Sequence, residues 1–209
     1  MAVNIAPTKS NLLSAQSSLE FSQKGFELLD KKRNVLIREM MGLISRAKDI
    51  QDRIDTTFSE AYEALKMSNL TEGINTVQGI AETIDEVQDF TILLKSVMGV
   101  EVPSLKFTRK SLQPTYSFYK TNNAFDIAVM KFQEVKYLIY ELAEVENSVY
   151  RLAMEIKKTQ KRTNALQNIQ IPKYKEIVKY IQDVLEEKER EDFFRLKMVK
   201  KKSIKKKAK

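Results

Sequence analysis

From Leu12 onward, apolar residues recur at intervals alternating between three and four. The series is Leu12, Ala15, Leu19, Ser22, Phe26, Leu29, Arg33, Leu36, Met40, Leu43, Ala47, Ile50, Ile54, Thr57, Ala61 and Ala64. A 3.5-residue repeat held for so long, with no proline inside it, is the pattern of a coiled-coil helix, about 80 Å long at the helical rise of about 1.5 Å per residue. Pro7, Thr8 and Ser10 precede the run and suit its first turn, where a side-chain oxygen can accept from backbone N–H groups that have no helical partner.

A second series keeps the same rule. It runs through Val135, Leu138, Leu142, Val145, Val149, Leu152, Ile156, Thr159, Thr163 and Leu166, and Phe125, Ala128 and Phe132 extend it upstream after a one-residue slip. Ile177, Ile181, Val184 and Leu185 resume an apolar pattern beyond Pro172, to about Lys197. Pro172 lacks the N–H that would bond the carbonyl of Asn168, and its ring crowds that carbonyl, so a kink or short break is expected there.

Between these arms the pattern changes. Residues 73–88 fit a short helix, and residues 90–107 carry β-rich flanks around Gly99, which reads as a two-stranded hairpin with Pro103 confined to an edge strand. Residues 111–125 read as an irregular, aromatic-rich loop. The expected organisation is an N-terminal coiled-coil arm at 1–66, a compact central segment at 67–123, a C-terminal arm at 124–197 kinked near Pro172, and a basic tail at 198–209. The fold class is mainly all-α: a long antiparallel two-helix coiled coil, because two such stripes are buried most economically against each other. The hairpin is too small to hold the arms together by itself, and is expected to project from them.

Composition narrows the chemistry. The chain has no cysteine and no histidine, which removes thiol chemistry, the commonest metal ligand and the usual neutral-pH base. Its five glycines form no phosphate-cradling run, and the carboxylates of residues 185–192 alternate with Lys188 and Arg190 as solvated helical ion pairs do. No cofactor is expected, and catalysis by this chain alone is not. No stretch is apolar enough to span a bilayer and the N-terminus has no secretory pattern, so a cytoplasmic protein is expected. The formal net charge is +8, but residues 195–209 hold nine of the Lys and Arg and no acid, so the basicity is concentrated at one end. Such a run can bind nucleic acid by counterion release, yet no stacking platform or recognition helix accompanies it, and a solvated disordered tail is the simpler reading.

Both arms carry a resemblance. "PTKSNLLSAQSSLEFSQKGFELLDKKRNVLIREM" at 7–40, "KTQKRTNALQNIQIP" at 158–172 and "LEEKEREDFFRLKMVK" at 185–200 are similar to the opening and closing signatures of the D subunit of the V-type and archaeal-type rotary ATPases. "VMGVEVP" at 97–103 is the main match between the arms. The chain departs from that family at Thr163 and at Gln160–Lys161, where an apolar residue and an arginine are more usual.

The resemblance implies a central rotor shaft, cytoplasmic and peripheral to the membrane, that binds no nucleotide. It would stand inside a hexamer of catalytic and nucleotide-binding subunits, and couple to a small central-stalk partner subunit and to a funnel-shaped subunit above the membrane ring. The shaft of F-type ATPases carries a larger α/β domain between its arms, for which residues 67–123 are too few. A generic coiled-coil scaffold or a basic-tailed nucleic-acid-binding protein is the other alternative.

Within that frame the antiparallel register puts Arg33 opposite Thr159 to Thr163. Lys31, Lys32 and Arg33 with Lys157, Lys158, Lys161 and Arg162 then form a positive belt expected to meet acidic loops of the hexamer. Asn164 and the kink at Pro172 would set the angle of the tip. The hairpin tip, Val97, Met98, Gly99 and Val100, is expected to modulate coupling.

Overall fold

The computed structural model describes residues 5–84, 90–109, 116, 119 and 121–207. Its elements are α1 (Lys9–Glu72), α2 (Ile74–Ala81), β1 (Phe90–Val97), β2 (Val100–Phe107), α3 (Asn123–Ala165), a π-helical segment (Leu166–Gln170) and α4 (Ile171–Lys207). The chain divides into two compact units: Asn34–Ile156, and the residues up to Arg33 together with those from Lys157 onward.

Helix α1 opens as its sequence dictates, with the Thr8 hydroxyl accepting from the Asn11 N–H at 3.3 Å. It passes the expected arm boundary at 66 and stops at Gly73, whose φ of 87° an L side chain would resist. Asn122 starts α3. Its Oδ1 accepts from the N–H groups of Ala124 and Phe125, while its Nδ2 donates to Thr71 Oγ1 at 2.6 Å and its backbone N–H donates to Glu72. One residue thus caps one helix and fastens it to the end of another.

In the Asn34–Ile156 unit, α1 and α3 pack through Ile50, Ile54, Leu138 and Val145. Lys131 bridges to Glu60 at 2.7 Å beside this seam, and Phe132 meets Phe58 and Tyr62 edge-on. At its end, Val77 of α2 covers Tyr116 and Phe125. The Tyr116 hydroxyl donates to Asp126 at 2.7 Å, and burial, with Asp126 beside it, pushes its pKa up to about 12.

The hairpin forms around a two-residue turn. Met98 and Gly99 have φ of 52° and 77°, as a type I′ turn requires, and Val97 pairs with Val100. Contrary to the expectation from its small size, the hairpin does not project. Val100 and Val102 are buried against Leu36 and Leu152, with Val97 packed alongside. The edge of β2 lies on α3: Leu105 N–H donates to Glu144 at 2.9 Å, Ser148 Oγ to the Pro103 carbonyl at 3.4 Å, and Arg151 to the Glu101 carbonyl at 3.0 Å. Phe107 stacks on Tyr137 and Phe90 leans on Tyr140. A pair of strands that would be marginal alone gains its core from two helices.

In the other unit, Ala15 of α1 packs against Ile177 and Ile181 of α4, with Leu12, Tyr174 and Leu185 around them. Pro172 produces no gap in the helix. The interruption is a π-helical turn placed before it, in which Ile171 N–H bonds the carbonyl of Leu166, five residues back. Helix α4 continues to Lys207, so the segment whose composition reads as a disordered tail is helical up to that point. Lysine is a good helix former, and cations favour a helix C-terminus.

Candidate functional site

The belt lies in the unit made of the first 33 residues and those from Lys157 onward. Here the seam is polar by construction. Ser22, Thr159 and Thr163 are 6%, 2% and 1% exposed, and each hydroxyl that needs a partner finds one within its own helix: Ser22 donates to the Ser18 carbonyl and Thr163 to the Thr159 carbonyl. Among the described residues, no buried side-chain polar atom lacks a hydrogen bond. These hydroxyls sit where leucines would otherwise be, so this level of the seam gains little from burial and costs little in polarity.

Arg33 crosses the seam at the expected height. Its guanidinium pairs with Asp30 at 2.6 Å and donates to Gln160 Oε1 at 2.8 Å, and Gln160 Nε2 donates to Asn164 Oδ1 at 2.7 Å. Arg33 is therefore not an outward member of the belt; it is half-buried, neutralised by Asp30 and tied to α3. Asn164 is exposed, and its Oδ1 accepts from Gln160. The clustering of cations in the sequence points to neither Asp30 nor Gln160 as partners. The three-residue spacing of Asp30 and Arg33 is the available signal, since such pairs share a helix face.

The other cations behave differently. Lys31, Lys157, Lys158, Lys161 and Arg162 are exposed and Lys32 is half-buried. Lys31, Lys157, Lys161 and Arg162 form no ion pair with any other described residue. Four uncompensated cations gathered near one level make a local positive field, which favours an anionic surface in contact.

The second candidate, the hairpin tip, is in the Asn34–Ile156 unit. Of Val97, Met98, Gly99 and Val100, only the turn residues Met98 and Gly99 are exposed; Val97 and Val100 belong to the core beneath. Among the described residues, no group of three or more acidic side chains could hold a metal ion, and no helix is long and apolar enough to cross a membrane.

Comparison with known proteins gives one answer along the whole length. The family model described as the ATP synthase D subunit matches residues 11–201, which takes in both arms and the hairpin. The chain is 46% identical to the V-type ATP synthase D subunit of Thermotoga neapolitana, over 96% of this chain and 98% of that protein. It is 39% identical to the A-type ATP synthase D subunit of Methanobrevibacter smithii, over 93% and 86% of the two chains, and 35% identical to that of Pyrococcus furiosus, over 95% and 94%. With α1, the hairpin, α3 and most of α4 inside the matched span, the chain belongs to the family of ATP synthase D subunits.

Proposed function

We propose that this chain is the central-stalk rotor subunit of a V-type or archaeal-type rotary ATPase, carrying torque between nucleotide turnover in a catalytic hexamer and ion movement through a membrane ring. The match to the D-subunit family over residues 11–201 carries this reading. Paired antiparallel helices suit such a role, because a coiled coil is narrow, resists bending, and presents a different surface at each angle. The chain acts without catalysing a reaction and without a cofactor. Its partners are the catalytic and nucleotide-binding subunits of the hexamer, a small central-stalk subunit and the funnel-shaped subunit above the membrane ring, so that it works at the membrane without entering it.

The positive belt is the proposed grip. Lys31, Lys157, Lys158, Lys161 and Arg162, with Lys32 at their edge, attract acidic loops of the hexamer. Attraction between solvated charges has no lock-and-key geometry, so the shaft can pass from one hexamer subunit to the next without breaking an interlocked contact. Arg33 contributes from inside, by holding α1 and α3 in register at that level. A modulating role for the hairpin is confined to its exposed parts, the turn at Met98–Gly99 and the outer strand β1.

The chain has no cysteine, so Met98→Cys creates a single attachment point at the exposed turn. With the hexamer fixed to a surface and a bead on that cysteine, ATP is expected to drive stepwise rotation in one direction. A complex that hydrolyses ATP while the bead stays still, or only diffuses, would remove the rotor reading.

A further inference from the structure

Helix α4 outlasts the helix it pairs with. Lys9, the first residue of α1, reaches Glu189 of α4 at 3.2 Å, and Leu12 and Leu185 both border the cluster of Ala15, Ile177 and Ile181. Beyond Glu189, α4 runs on to Lys207, about 27 Å of helix at about 1.5 Å per residue, and each residue from Glu186 to Lys201 is exposed.

This overhang is not a polar one. Five of the seven residues from Phe193 to Val199 are apolar, and Phe193, Phe194, Leu196, Met198 and Val199 are between 58% and 68% exposed. At about 100° per residue, with Phe193 as zero, Phe194 points to about 100°, Met198 to about 140°, Val199 to about 240° and Leu196 to about 300°, so no gap between apolar directions exceeds about 100°. A helix on a protein surface gathers its apolar residues into one stripe; a helix that is apolar on every side is one that something surrounds. The free charge on the stretch is of one sign. No acid follows Asp192 in the sequence. Arg195 is paired with Glu191 at 3.3 Å and Asp192 at 3.8 Å, whereas Lys197, Lys200 and Lys201 form no ion pair with any other described residue.

We infer that the end of α4, from Phe193 to Lys201, is held in the bore of a ring-shaped protein, whose wall sets apolar side chains around it on all sides and carboxylates beside Lys197, Lys200 and Lys201. Shape decides against a flat partner. An anionic bilayer or a nucleic acid reaches one side of a helix and leaves the opposite apolar side chains in water, whereas a ring reaches all five. Charge decides the lining, and here it lies in the same residues that are enclosed: three unpaired lysines draw an acidic wall and repel the like end of a second copy. Contacts of this kind have no fixed hydrogen-bond geometry, so the helix end can turn within its bore. The inference rests on the rotor reading only for the identity of the ring, which would be the hexamer.

The chain has no cysteine, so Phe193→Cys, Phe194→Cys, Leu196→Cys, Met198→Cys and Val199→Cys, made one at a time, each report one direction around the helix. In the isolated chain all five are expected to react with N-ethylmaleimide at rates within a few-fold of one another, read by the mass of this chain. In the ATPase complex without nucleotide, all five should slow by about tenfold or more, because a ring leaves no open side. Lys197→Gln, Lys200→Gln and Lys201→Gln together should leave the helical circular dichroism of the chain unchanged and weaken assembly at low salt by about tenfold. Fast reaction at all five within the complex overturns the inference. So does protection confined to one side, such as slow Phe194→Cys and Met198→Cys beside fast Leu196→Cys and Val199→Cys, which is the mark of a groove. Slow reaction in the isolated chain overturns it too, whether the chain covers its own end or binds a second copy, and so does equal protection of the isolated chain by phosphatidylglycerol vesicles or by RNA. Unchanged assembly of the triple glutamine variant overturns the acidic wall. The labelling is read in a stationary complex, so a bead that fails to rotate leaves its pattern unchanged and the two ideas fail separately.

Discussion

Val100 and Val102 together should account for about 3 kcal/mol of the stability of the Asn34–Ile156 unit. They are 9% and 6% exposed, and they lie against Leu36 and Leu152, which are 0% and 1% exposed. Changing each valine to alanine removes two buried methyl groups, at about 0.8 kcal/mol per group transferred to water, before any cavity left between the two leucines is counted. Ile92→Ala with Leu94→Ala is the matched control, because it removes more carbon from the same hairpin at positions 61% and 62% exposed; it should cost under about 1 kcal/mol. Guanidinium chloride unfolding followed by helical circular dichroism reads both, provided the slope against denaturant is the same in each variant. If the buried pair costs no more than the exposed pair, the hairpin does not share a core with α1 and α3. The expectation drawn from its size, that the hairpin projects from the arms without holding them together, would then return.

Three further outcomes are expected. Replacing Lys157, Lys158, Lys161 and Arg162 together by Gln should leave the thermal unfolding of the isolated chain nearly unchanged, since exposed charges contribute little, and weaken its binding to the hexamer most strongly at low salt; equal affinity at low salt would exclude the belt as the grip. Tyr116 should show its phenolate absorbance only near pH 12 on alkaline titration, read as the difference from Tyr116→Phe; because its folded pKa is raised, its contribution is complete below about pH 10 and is lost as pH rises from there to 12, and Tyr116→Phe should abolish that slope. Deleting Ile169 should cost about 3 kcal/mol more in the native background than in Pro172→Ala, measured by denaturant unfolding, because the deletion rewinds the π turn into an α turn that the proline ring cannot enter.

The helices were legible because their stripe is periodic and long. Each seam position named on α1, from Leu12 to Ala64, is at least half shielded from solvent in the structure, including Ser22, Arg33 and Thr57, which polarity alone would have put outside. Periodicity outranks the chemistry of a single residue when the seam positions before and after it are apolar, as Leu19 and Phe26 are for Ser22, Leu29 and Leu36 for Arg33, and Ile54 and Ala61 for Thr57. The hairpin was legible for the local reason that Gly99 is followed by alternating β-formers. Its docking was not, because contact of Val100 with Leu36 and Leu152 joins residues far apart in sequence that no local pattern links. The belt was half legible. Clustering of cations could be counted, but whether each points out or in depends on partners such as Gln160, which is across the seam from Arg33. The helix ends followed their stop signals rather than the change in composition: α1 yields to Gly73, and α4, meeting neither glycine nor a second proline, runs on to Lys207.

The turn before Pro172 shows how one proline can preserve a long helix instead of breaking it. Leu166 and Ile171 are the two half-buried residues at this level, and they are five apart. At about 100° per residue, five α-helical steps overshoot a full turn by roughly 140°, which would carry Ile171 away from the seam; four steps would put Gln170 there, an amide facing an apolar partner. Winding one turn with a five-residue hydrogen bond, Ile171 N–H to Leu166 carbonyl, absorbs the extra residue and returns isoleucine to the seam, so that Tyr174, Ile177 and Ile181 follow in register. The opposing helix leaves room at this height: a Cβ on Gly25 would lie 3.8 Å from Leu166 Cδ1, an ordinary contact distance that a longer side chain would overrun. Pro172, second residue of α4, then makes the arrangement one-sided. It gives up no bond in the π turn that ends at Ile171, but it would clash with the preceding carbonyl if that turn tightened, so the ring holds the wider winding in place.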